Sequence, residues 1–140
     1  MQKINQKYIN NLVLKALEED LKPNGDITTK LINSKNKIVQ AKIISKQNGI
    51  ISGINFCKAA FKLLERKSKF LQRIKDGKKV KRNQIIAEIT AKTKTILIAE
   101  RTALNFLNHA SGISTITNQY VSKVRNKTKI CCTRKTTPNL

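Results

Sequence analysis

An α+β fold is predicted by three features of this sequence. Apolar residues recur at helical spacing in the stretches 7–20, 54–66 and 100–124. Short β-prone runs lie between them at 37–45, 49–53, 70–74 and 84–89. Turn signals, Pro23-Asn24-Gly25 and Asp76-Gly77 among them, separate one run from the next.

The first element is an amphipathic helix over residues 7–20. Tyr8, Ile9, Leu12, Val13, Ala16 and Leu17 share one face, and Asn10, Asn11, Lys15 and Glu18 the other. It should stop before Leu21-Lys22-Pro23-Asn24-Gly25. In the following Asp26-Ile27-Thr28-Thr29, the aspartate and threonines read as local caps on the turn backbone. From Lys37 to Ser45, Val39, Ala41 and Ile43 alternate with Ile38, Gln40 and Lys42 as in a strand. Gly49-Ile50-Ile51-Ser52-Gly53 reads as a second short strand, and the two suggest a hairpin-like pair. Residues 54–66 return to helical spacing through Cys57, Ala60, Phe61 and Leu64. Further strands and turns are expected at 70–74, 84–89 and 94–98, with Asp76-Gly77 as a turn. A helix follows, on which Ala103, Phe106, Leu107 and Ala110 recur and Arg101 stands apart from the apolar face. Gly112 should interrupt it, and Ile113, Ile116, Tyr120 and Val124 restart the pattern as far as Arg125-Asn126-Lys127.

Composition narrows the function classes. At 140 residues with 39% hydrophobic residues, the chain can build a real core. No apolar run approaches membrane-spanning length, and Met1-Gln2-Lys3-Ile4-Asn5 lacks the apolar core of a secretory signal, so a cytoplasmic address is expected. Cys57, Cys131 and Cys132 are odd in number and show no metal-ligand spacing, which reads as reduced core residues rather than a disulfide or a zinc site. The net charge of +21 invites a small RNA- or polyanion-binding module as an alternative function. Against it, the lysines are scattered along the chain and only 4% of residues are aromatic, so a base-stacking platform is poorly supplied. His109 is the single histidine and reads as a packing or capping residue beside Ser111-Gly112.

The C-terminal stretch carries the chemistry. Lys129 to Thr133 is β-prone and empties into Arg134, Lys135 and then Pro138, which places two adjacent cations on a loop at a strand's C-terminal end. In an α/β barrel that end is the face where chemistry occurs, so Thr133-Arg134-Lys135-Thr136-Thr137 looks like an anion site; on composition alone the same cations are surface charges.

Three segments in order, Glu100-Arg101-Thr102-Ala103-Leu104-Asn105, Ser111-Gly112-Ile113 and Thr133-Arg134-Lys135-Thr136-Thr137-Pro138, closely resemble the quinolinate phosphoribosyltransferase family. Glu19-Asp20 through Gly25-Asp26-Ile27-Thr28 resembles that family's early acidic signature. The resemblance implies a hammerhead-type N-terminal α/β sandwich over residues 1–110, followed at 111–140 by the first helix and strand of an incomplete α/β barrel. It implies condensation of quinolinate with phosphoribosyl pyrophosphate to nicotinate mononucleotide, carbon dioxide and pyrophosphate in NAD biosynthesis, with Mg2+ expected in the complete enzyme. Arg101 corresponds to an arginine used across a dimer interface on a quinolinate carboxylate. Thr133, Arg134 and Lys135 match the substrate-binding loop, Arg134 on quinolinate and Lys135 as the catalytic cation near the reacting groups. Two positions depart from the pattern: Cys132 stands where an aspartate is common, and Asn139 where glycine is common. Only the first barrel strand is expected here, so the chain by itself is expected to be inactive. No membrane is implied, and nucleic acid is not an expected partner.

Overall fold

The computed structural model describes residues 4–23, 25, 37–125, 127–133 and 135. Helix α1, Gln6–Leu21, opens on Asn5, whose side-chain oxygen accepts from the Lys7 backbone N–H at 2.8 Å and so satisfies one of the free donors of the first turn. Its buried stripe is Ile9, Val13 and Leu17, one residue per turn, and each such burial stabilises by roughly 1.5–3 kcal/mol. Tyr8, expected on that face, is exposed.

Strand β1, Ile38–Ile44, runs antiparallel to a later strand and not to its neighbour in sequence. The next extended pair, β2 at Gly49–Ile50, leaves the sheet after the 45–48 turn; helix α2 follows at Ile54–Leu64, then β3 at Lys69–Gln72, β4 at Lys79–Val80 and β5 at Ile85–Lys92. β5 is the centre of a three-stranded antiparallel sheet in the order β1-β5-β3, while β2 and β4 form a separate two-stranded ribbon. The expected β1–β2 hairpin is therefore not formed. The eight residues of β5 give β1 a full ladder, which the two residues of β2 cannot. Ser45 closes that ladder by bonding Gln84 and Asn83 through its backbone.

The register puts Ala41, Ile89 and Phe70 side by side on one face, with Ala87 and Ala91 above and below Ile89. That face carries the core. α2 packs against both α1 and α3, and the Phe61 ring meets the Phe70 ring at 6.1 Å, joining α2 to β3. The last helix, α3, runs unbroken from Thr93 to Val124 for 32 residues. It corrects two expectations. Residues 94–98 are helical rather than extended, because Thr95, Ala99, Thr102, Ala103 and Leu107 already form one buried stripe. Gly112 does not interrupt the helix; it is exposed, and on either side of it Ser111 is bonded to Ser52 and Thr115 to Ile50 of β2.

Past Arg125, which ends α3 in the left-handed region at φ 46°, residues 129–133 are irregular and exposed. The strand expected over Lys129–Thr133 is absent because, among the described residues, no strand lies beside it to take its hydrogen bonds. No helix of the described residues is long and apolar enough to cross a membrane.

Candidate functional site

Arg101 sits in the first half of α3, with its side chain 75% exposed. Its Nη1 donates to Asp20 Oδ1 at 2.9 Å, and Asp20, on the last turn of α1, is only 23% exposed. The guanidinium is thus tethered at one nitrogen on a side chain that is otherwise mostly exposed, and its planar fork is suited to a carboxylate. Beside this pair, α1 and α3 enclose an open groove of about 860 Å³, lined by Glu19, Asp20, Asn105, Phe106, Asn108 and His109. His109 is exposed there rather than packed. Thr133 and Lys135 are exposed on the irregular C-terminal segment. Arg134, Thr136, Pro138, Asn139 and the Asp26 turn lie outside the described residues.

The Ser111-Gly112-Ile113 segment has a structural explanation. Ser111 Oγ accepts from the Ser52 N–H at 3.0 Å and donates to the Ser52 carbonyl at 3.1 Å. One turn on, Thr115 Oγ1 accepts from the Ile50 N–H at 2.9 Å and donates to the Ser111 carbonyl at 2.7 Å. Two hydroxyls on α3 therefore bond the backbone of β2 and of Ser52 just beyond it, as a neighbouring strand would. The chain approaches so closely that a Cβ on Gly53, whose φ is 88°, would lie 3.1 Å from both the Phe106 carbonyl oxygen and Ala110 Cβ.

Carboxylates from elsewhere cap both helices that lack a side-chain cap of their own. Asp76 Oδ1 accepts from the Ile54 N–H at 3.1 Å at the start of α2, and Glu65 Oε2 accepts from the Lys92 N–H at 3.0 Å at the start of α3. The Lys92 amide, and after it the Thr95 hydroxyl, hold the Glu65 carboxyl below its ordinary range. Cys57 is fully buried in the core, and burial pushes its thiol up to about 12, so it stays protonated and packs as a small hydrophobe. Cys131 and Cys132, expected in the core with Cys57, are instead free and exposed, because they lie on the irregular segment beyond α3. Among the described residues no three of His, Cys, Asp and Glu gather as metal ligands.

Asp20, Glu65 and Asp76 were not singled out individually from sequence. Asp20 stood in the sequence only as part of the early acidic signature that begins at Glu19-Asp20 and of the acid run Glu18-Glu19-Asp20, at a helix end that prefers cations; neither pointed to Arg101.

With this geometry in place, the profile of the family described as quinolinate phosphoribosyl transferase, N-terminal domain, matches residues 26–111, more than half of the chain. The chain belongs to that family. It is 40% identical over 136 residues to a probable nicotinate-nucleotide pyrophosphorylase [carboxylating] of Methanocaldococcus jannaschii, covering 95% of this chain and 46% of the relative. The fold superposes on the nicotinate-nucleotide pyrophosphorylase of Francisella tularensis with a TM-score of 0.90 at 33% identity, covering 98% of this chain and 49% of the other. The corresponding enzyme of Ehrlichia chaffeensis gives 0.86 at 37% identity, with 98% and 49% covered. The chain spans about half the length of the curated relatives it matches. The mixed α+β domain of the family is thus the fold observed here.

Proposed function

We propose that this chain supplies the N-terminal half of a carboxylating nicotinate-nucleotide pyrophosphorylase, a cytoplasmic pentosyltransferase that joins quinolinate to phosphoribosyl pyrophosphate in NAD biosynthesis. The observation that carries the reading is the 40% identity maintained over 95% of the chain with a relative of that name. In this reading residues 1–110 form the α+β domain and residues 111–140 begin the barrel. The exposed apolar residues of the second half of α3, Ile113, Ile116 and Tyr120, support it, since a face of that kind suits coverage by the remaining half.

The residues take these roles. Both substrates are multiply anionic, so fixed cations select them and stabilise the departing diphosphate. The pyridine nitrogen forms its bond to the sugar carbon as pyrophosphate leaves, and the cationic ring then accepts the electron pair released when carbon dioxide departs. No side chain need remove a proton for that step. Arg101 meets a quinolinate carboxylate in the site of a partner subunit, which requires a dimer or larger oligomer. Thr133 and Arg134 hold quinolinate, and Lys135 lies at the reacting groups as the catalytic cation. Magnesium accompanies phosphoribosyl pyrophosphate in the complete enzyme. The described residues offer no ligand set that fits it, and no step is assigned to it.

The test is kinetic, in an assembly of this chain with the second half of the M. jannaschii relative. Arg101→Ala and Arg134→Ala should each raise the quinolinate KM at least about tenfold, the loss of one charge-assisted contact. An unchanged KM in both removes the assignment. A second reading, binding of RNA or another polyanion, is favoured by one observation: Lys75, Lys78, Lys79, Lys81 and Arg82 are all exposed on β4 and the turns flanking it. RNA affinity falling steeply with salt, together with no quinolinate dependence, would select it.

A further inference from the structure

The last turn of α1 carries Glu18, Glu19 and Asp20 and no basic residue. Carboxylates at this end of a helix face the negative pole of its dipole, at a cost of roughly 0.3–1 kcal/mol each. Glu18 is matched by Lys22 one turn on, at 3.6 Å. Glu19 lines the groove. Asp20 reaches across to α3, 81 residues away in sequence, and bonds Arg101 at 2.9 Å.

An ion pair with a partner 75% exposed contributes on the order of 0–1 kcal/mol, which does no more than offset the dipole cost. Stability therefore does not account for the pair, whereas geometry does. An arginine side chain loses about 2 kcal/mol of rotamer entropy when it is fixed. A tether that fixes it beforehand removes part of that loss from ligand binding. The tether is itself rigid, since Asp20 is largely covered and stands on a helix anchored by Val13 and Leu17.

We infer that Asp20 is a positioning residue for Arg101, holding its guanidinium through Nη1 so that the opposite edge meets a carboxylate of a small dianionic ligand. The inference rests on the reading of Arg101 as a quinolinate contact given above.

Two measurements test it. In the chain itself, 15N relaxation of the Arg101 Nε–H should show an ordered side chain that becomes as mobile as other exposed arginines in Asp20→Ala and Asp20→Asn. An Arg101 equally ordered in the variants overturns the proposal. In the assembly with the second half of the M. jannaschii relative, Asp20→Ala should raise the quinolinate KM about tenfold while kcat changes less than about twofold, and Asp20→Glu should recover most of the loss. If Asp20→Ala leaves KM unchanged while Arg101→Ala raises it, the positioning role is wrong. If Arg101→Ala also leaves it unchanged, the reading of Arg101 itself fails, and the role given to Asp20 goes with it.

Discussion

Asp76 and Glu65 show how single side chains complete this fold from a distance. Gly53 provides no side-chain cap for α2, and Lys92 none for α3, so each helix borrows a carboxylate from another part of the chain. Asp76→Ala should destabilise the chain by about 1 kcal/mol in urea unfolding, the usual worth of an N-cap. Glu65 adds a pH dependence whose sign follows from its lowered carboxyl. Because the folded state holds the charged form more tightly than the unfolded chain does, the stabilisation is present above the ordinary glutamate range. It is lost as pH falls through the lower folded value. Glu65→Gln should flatten that acid-side loss between neutral pH and pH ~3, read as urea midpoints against pH. Gly53 is constrained both by its positive φ and by the Phe106 carbonyl 3.1 Å from where a Cβ would stand. Gly53→Ala should therefore destabilise by more than about 1 kcal/mol.

At the scale of elements, α3 decides the architecture. Its 32 residues continue through Gly112 because Ser111 and Thr115 hold the helix against Ser52 and Ile50 on either side. A Cβ on Gly112 would meet nothing within 4 Å, so Gly112→Ala should stabilise the chain by about 0.5–1 kcal/mol. A loss of stability there would mean that the helix bends at this point after all. Most element types were legible in the sequence: the period of Ile9, Val13 and Leu17, the apolar face of α2, and the Asp76-Gly77 turn were all visible as local patterns. What was hidden was pairing. Nothing within residues 37–53 shows that β1 prefers β5, forty residues on, over β2, and Thr95 and Thr102 do not look like core residues until the helix stripe is known. The same limit covers the site. Arg101 and Asp20 each fell within a motif, but their pairing was not legible, because tertiary contact alone brings them together.

For the molecule as a whole, three mutually packed helices and the three-stranded sheet account for a core that includes Ile89, Phe61, Val13 and Leu107. By contrast, the second half of α3 and residues 129–133 remain exposed. The family, the half-length coverage of the matched relatives and that exposed face support the proposal that this chain contributes Arg101 and the start of a substrate loop to a larger active assembly. Release of pyrophosphate from quinolinate and phosphoribosyl pyrophosphate tests it most directly. The account predicts no turnover by the purified chain and turnover once the second half of the M. jannaschii relative is added. Robust turnover by the chain alone, or none after the two halves form a stable complex, would contradict it.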